Sequence, residues 1–309
     1  MKLSAVFSVF LFSVLVYGQN QTNANSSSVT ASAGNATNAN VTNTSEVKIP
    51  GGAANASSPF GIHLYTLGGY DDSQLRNPDP SFSIYDAYVS LSWKLSNDVR
   101  VSLLPTFGYT TAGNDFLGKE TTDKFYWRDF SISIGQSNIL ESFLPATVDL
   151  KQKARVYLPT SDGSKEEGMI ARLRIELEGR SNLDQFSSVR YYMKPSYYFQ
   201  RTTAFLNGSG KTKTTKLADI QYGSEFNWNL NKYLSLKPGF EIEDDWTNKS
   251  DVNDREASHI SKIGYRAGLE VRPNRDINFT IGIQDSRDLI NPSVTPTVSY
   301  SLLTNVTLY

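Results

Sequence analysis

From residue 59 onward, apolar and polar residues alternate with a period of two, along segments of about ten to fourteen residues. The clearest segment places Tyr85, Ala87, Val89, Leu91, Trp93 and Leu95 on one face. Asp86, Tyr88, Ser90, Ser92 and Lys94 take the other face. The same period recurs over 148–158, 169–177, 220–230, 263–271 and 277–283. A helix would repeat every 3.6 residues, so these segments are predicted as strands. They fall at 60–70, 82–95, 99–110, 124–136, 146–158, 168–179, 188–200, 217–230, 233–245, 259–272, 276–287 and 297–309, twelve in all.

The connections alternate as well. Ser96-Asn97-Asp98, Asn231-Lys232 and the four residues from Pro273 to Asp276 carry tight-turn chemistry. Longer polar loops lie at 71–81, 111–123, 201–216 and 246–258. Short turns at one end and long loops at the other is the pattern of an up-and-down β-barrel that crosses a membrane. Two connections, 137–145 and 180–187, exceed a tight turn and leave ten or fourteen strands open. A soluble β-sandwich also alternates, but its strands are usually about five or six residues long. Tyr and Trp also sit near segment ends (Tyr85, Trp93, Tyr109, Trp228), where an interfacial belt would want them. The expected class is all-β, a transmembrane antiparallel barrel.

Composition changes the picture in four ways. Mean hydropathy is −0.37, which suits strands whose faces alternate between lipid and lumen. The chain holds 17 Tyr and 16 Phe against 4 Trp, in keeping with aromatic girdles. It has no cysteine, so a sheet or core must supply the stability that small exported domains draw from disulfides. A formal net charge of −1 argues against a nucleic-acid partner.

Residues 1–18 read as a signal peptide: Lys2 precedes an apolar run too short for the ~20 residues of a spanning helix, and Val16-Tyr17-Gly18 resembles a cleavage site. Export to the bacterial outer membrane follows as the expected localisation. Residues 19–58, rich in Asn, Thr, Ser and Ala, have too little apolar surface to offset ordering entropy and are expected to be disordered. The barrel occupies 59–309. Its final strand should close the sheet against the first, because an open edge has no hydrogen-bond partner in lipid. Val298, Tyr300, Leu302, Thr304, Val306 and Leu308 hold the apolar phase there, and Tyr309 the opposite one. A bulge near Leu302-Leu303, or an anchoring Tyr309 just past the ladder, would explain the mismatch.

If the apolar face meets lipid, the candidate chemistry lies on the alternate face. Strands five to seven point Asp149, Lys151, Lys153, Arg155, Arg172, Arg174, Glu176, Glu178, Arg190 and Lys194 inward, a basic excess. The next two strands reverse the balance with Asp219, Glu225, Glu241, Glu243 and Asp245 against Lys237. A basic wall beside an acidic one would set up a transverse field in a narrow aqueous passage. Lys151, Lys153, Arg155, Arg172, Arg174, Arg190, Lys194, Glu225, Glu241 and Glu243 are the candidate pore-lining residues. Register matters here. If paired numbers sum to 329, Lys151 faces Glu178 and Lys153 faces Glu176, a salt-bridge ladder. If they sum to 327, Lys153 faces Arg174 and Arg155 faces Arg172, which needs water or an anion.

Catalytic and metal chemistry find little support. The two histidines are His63 and His259. His259-Ile260-Ser261 resembles the His-X-Ser core of outer-membrane phospholipases, but Lys262-Ile263 stands where Ser-Asn-Gly would continue the motif. No metal or cofactor is expected, and the protein is read as not an enzyme.

The leader, the alternating hairpins with turns such as 95–98 and 230–232, and the terminal aromatic together resemble the small outer-membrane porins of Gram-negative bacteria. The inward basic track is similar to that of twelve-stranded porins for acidic oligosaccharides, although the acidic strands over 217–245 break its second half. The resemblance implies passive diffusion of small hydrophilic solutes or ions, outer-membrane lipid as surroundings, recognition of the C-terminal strand by the barrel-assembly machinery, and a possible homo-oligomer. The other function class is a non-conducting structural or adhesive barrel.

Overall fold

The computed structural model describes residues 59–76, 79–114, 120–137, 139, 148–206, 212–249, 258–274, 276–290 and 297–308. The segments read as leader and disordered block, and the terminal Tyr309, lie outside the described residues. Twelve strands form one closed antiparallel sheet. They are β1 (Phe60–Asp71), β2 (Ser83–Lys94), β3, β4, β5 (Val148–Leu158), β6 (Met169–Asn182), β7 (Ser187–Gln200), β8 (Lys216–Asn229), β9 (Leu234–Thr247), β10 (His259–Val271), β11 (Ile277–Asp288) and β12 (Thr297–Thr307). β3 runs as Val99–Leu104 and Thr106–Thr110, broken at Pro105. β4 runs as Lys124–Trp127 and Phe130–Gln136.

Each strand pairs with its neighbours in sequence, and β1 pairs with both β2 and β12. The closing ladder runs from His63↔Thr307 to Asp71↔Ser299. It is unbroken through Leu302 and Leu303 on both sides of β12, so of the two explanations for the phase mismatch the bulge is absent. β12 ends at Thr307, two residues short of the expected strand end.

The expected apolar faces point outward and their partners inward. Ile132, Val156, Leu173, Ile175, Phe240, Leu269, Ile281, Ile283 and Leu302 are exposed on the outer wall. Ser90, Ser133, Arg155, Arg174, Glu225, Glu241 and Glu270 are buried inside. A water-soluble sandwich buries its apolar face; here the apolar face is the outside, as a lipid solvent demands. The expected soluble alternative has no place in this arrangement.

Three tight turns share one device. Oδ1 of Asp184 accepts from the backbone N–H of Phe186 and Ser187 at 2.7 and 2.6 Å. Asn231 does the same for Tyr233 and Leu234, and Asn274 for Asp276 and Ile277. An Asx side chain thereby supplies the acceptor that the reversing backbone lacks. The Phe186 N–H holds the Asp184 carboxyl below the usual carboxylate range. The 180–187 connection is therefore a tight turn, not the longer loop expected, because the β6–β7 ladder continues down to Asn182↔Ser188. All three turns lie at the end of the barrel opposite the long loops.

Proline punctuates the sheet in a regular way. The β6–β7 register steps from Arg174↔Ser196 to Leu177↔Met193, leaving a gap at Pro195. The β8–β9 register steps from Glu225↔Gly239 to Trp228↔Leu236, leaving a gap at Pro238. Proline has no N–H to give a ladder, so each gap falls where the donor is missing. At the long-loop end, a short helix α1 (Asp72–Leu75) follows β1 and α2 (Asp162–Glu166) follows β5. Ser161 caps α2, accepting from Ser164 N at 3.2 Å. Asp129, in the break of β4, accepts from Ser161 N at 3.1 Å and from the Ser164 hydroxyl at 2.5 Å, tying the helix to the barrel rim.

Candidate functional site

The interior of β5–β9 carries most of the charge, and the register decides its state. β5 and β6 pair with numbers summing to 329: Glu178↔Lys151, Glu176↔Lys153 and Arg174↔Arg155. The salt-bridge alternative is the one realised. Lys153 Nζ lies 2.9 Å from Glu176, and Arg155 Nε lies 3.4 Å from the same carboxylate. The remaining like-charge pair, Arg174 opposite Arg155, is relieved sideways. Arg174 turns to Asp219 on β8 at 3.7 Å and donates to Ser196 Oγ at 2.8 Å. Arg190 pairs with Glu178 at 2.7 Å.

These contacts correct the expected transverse field. The acids do not form a wall of their own beside the basic one; they interleave with the bases, one or two strands away. Arg155 is 2 % exposed, Arg174 3 % and Lys194 3 %, burial tolerable for a charge only when it is paired and hydrogen-bonded. The other expected residues settle nearby. Arg172 lies over the Tyr157 ring at 3.6 Å and donates to Tyr198 OH at 3.2 Å. Lys194 Nζ sits 4.6 Å from the Tyr192 ring centre. Glu243 meets Gln221 at 3.4 Å and Lys216 at 4.0 Å. Lys151 is the most open of the bases and reaches Asp149 at 3.1 Å.

A second cluster spans four strands. Tyr192 on β7 donates to Glu241 on β9 at 2.8 Å and accepts from Arg266 on β10 at 2.7 Å. Arg266 also lies 3.8 Å from both Glu225 and Glu241. The ring crosses β8 over Gly223, where a Cβ would come within 2.9 Å of the Tyr192 hydroxyl. Glycine here leaves space for a side chain arriving from the neighbouring strand, where Tyr192 pairs with Gly223 in register. Below it, Lys237 and Glu270 pair at 3.1 Å, and Arg272 joins Glu270 at 2.7 Å.

Sequence reasoning missed Tyr192, Arg266 and Glu270, although all three stand in the inward phase of strands it identified. Their signal was the alternation itself, applied to every strand and not only to those rich in one sign of charge. Apart from Tyr88, which it set on the inward face, it also missed the opposite wall, where Tyr65 and Tyr88 stack with ring centres 4.6 Å apart beside Leu67, Leu104 and Leu303. Those inward residues are apolar, so in hydropathy they blend with the outward set.

The two histidines take ordinary structural contacts. His63 Nδ1 lies 3.2 Å from Thr307 Oγ1. His259 stacks on Trp246 and lies 3.1 Å from Asp244. Among the described residues, no group of three or more His, Asp or Glu side chains could hold a metal ion.

A closed twelve-strand antiparallel barrel, apolar outside and charged within, defines the class: a transmembrane β-barrel. Its fold is similar to an outer membrane channel from Pseudomonas putida F1, with a TM-score of 0.54 at 10 % identity over 81 % of this chain and 96 % of that one. The NanC porin (TM-score 0.46, 10 % identity, 79 % of this chain and 100 % of that one) and the KdgM porin (TM-score 0.43, 7 % identity, 80 % and 99 %) also align along most of the chain. No family model matches the sequence, and no curated protein matches it.

Proposed function

We propose that this chain is an outer-membrane channel of a Gram-negative bacterium, passing small hydrophilic solutes or ions by passive diffusion through a narrow charged lumen. One observation carries the reading: a sheet closed on itself, lipid-compatible outside, whose inner face is built of charged and hydroxyl-bearing residues. An inner wall meant only to be packed has no use for this much charge, since apolar side chains of equal volume often stabilise as well or better. Twelve strands lie between the eight that side chains fill and the sixteen that leave a wide channel. The ten candidate residues, Lys151 through Glu243, line one side of the passage and set its field. The surroundings are outer-membrane lipid, with β12 as the strand read by the barrel-assembly machinery.

The interleaved ion pairs favour a second reading, a non-conducting structural or adhesive barrel. Recording from the refolded protein in planar bilayers separates the two. Discrete conductance steps in potassium chloride are expected, and Lys151→Glu, at the more open end of the basic track, should shift the reversal potential toward cation preference. Electrical silence from a barrel that is folded by heat-modifiable electrophoretic mobility rejects the channel and leaves the structural reading.

A further inference from the structure

The lumen wall is asymmetric in size as well as in charge. Long side chains crowd the inner face from β5 to β9, whereas β10, β11 and β12 share an inward patch of glycine, serine and threonine beside Arg266 and Glu270. Gly268, Thr280, Gly282 and Ser301 stand side by side across these strands, in the register Gly268↔Gly282↔Ser301. They line a cleft whose other side is Glu225, Lys237 and Arg266. Resting on the channel reading, we propose that the aqueous path runs off axis through this slot, between the small-residue wall and the charged one, and not down the middle of the basic track.

Three observations support the placement. Size is the first: Gly268 and Gly282 put no side chain into the cleft, and Thr280 and Ser301 beside them are small. The second is the hold on Arg266, which lines the cleft opposite the glycines. Tyr192 OH, Glu225 and Glu241 draw its guanidinium back toward β7–β9. Solvation is the third. Thr280 is 6 % exposed, yet its Oγ1 has no hydrogen-bond partner among the described residues. A buried hydroxyl is normally satisfied, and a water in the cleft would satisfy this one. With a carboxylate, an ammonium and a guanidinium along one side and hydroxyls along the other, the slot, with room of about 20 Å³, suits water and small ions.

The chain has no native cysteine, so a single introduced thiol reports its own position without background. Ser301→Cys places one in the slot, and Thr280→Cys is a second probe should the first fail to fold. Ser196→Cys, behind Arg174 on the charged wall, is the comparison site. Each full-length variant, folded in lipid vesicles by heat-modifiable mobility, is treated with the water-soluble cationic methanethiosulfonate reagent. Labelling is followed by mass as a mixed disulfide forms and methanesulfinate leaves. Labelling in the slot should be about tenfold faster than at Ser196→Cys, since reaction follows access of the thiolate to water. Equal rates, a faster Ser196→Cys, or no labelling of either slot cysteine overturns the proposal. Conductance of the unmodified protein is scored separately. A labelled slot in an electrically silent barrel keeps the slot as a water-filled cleft and discards the channel.

Discussion

Glu176→Leu is expected to cost about 3–5 kcal/mol of folding stability, the loss typical when one partner is removed from a buried ion pair. The carboxylate serves two cations at once, Lys153 at 2.9 Å and Arg155 at 3.4 Å, and the Arg155 side chain is almost wholly enclosed. Taking it away leaves two neighbouring positive charges, with Arg174 directly opposite Arg155 in the ladder. The reciprocal change, Lys153→Met, should cost less, because Arg155 still neutralises Glu176. Equilibrium urea unfolding from lipid vesicles measures both. The result also bears on function. If Glu176→Leu falls within about 1 kcal/mol of the parent, the pair behaves as a solvated surface pair, and the basic track stands in bulk-like water. A large loss places the same track in a dry, packed region and moves the open path toward the Gly282–Ser301 side.

The barrel was legible in the sequence because its code is short-range. A residue two positions along a strand shares its face, so the outward row Tyr85 to Trp93 and the inward row Lys151 to Arg155 could be assigned from spacing alone. Closure followed from the same reasoning, since twelve strands in lipid cannot leave an edge. The contacts within the lumen were a different matter. Whether Lys153 meets Glu176 or Arg174 depends on a two-residue choice of register that no local pattern encodes. That choice is fixed by the turn at one end and the loop at the other. Arg266 meeting Tyr192 depends on the barrel's curvature and on an empty position at Gly223, four strands being involved. The break at Pro105 was visible as a residue, but not that β4 would break opposite it. Charge counting along single strands therefore predicted walls of opposite sign where the folded sheet interleaves them.

Ile281→Arg is expected to cost about 2–4 kcal/mol, and the same change at Leu308 about 0–1 kcal/mol, the depth dependence of a cation on the lipid face of a barrel. Ile281 lies near the middle of β11, with Leu269 on one side and Leu302 on the other in register. All three project outward, and Ile281 is 61 % exposed. Leu308 is comparably exposed at 55 % but lies just past the end of β12, beside Ile62 at the tight-turn end. Exposure alone therefore predicts equal effects at the two sites; only an apolar slab centred on the barrel predicts a difference. Unfolding from vesicles against the unmodified chain gives both numbers. Equal and negligible costs would mean that the outer wall meets water, and the membrane-spanning reading, with the channel built on it, would fall. A steep difference sets the height of the apolar belt and puts Gly282, one residue along β11 from Ile281 and facing inward, at the same mid-membrane depth. A slot there has no other water to draw on than its own, so the small-residue wall of β10–β12 must be continuous to both rims for any ion to cross.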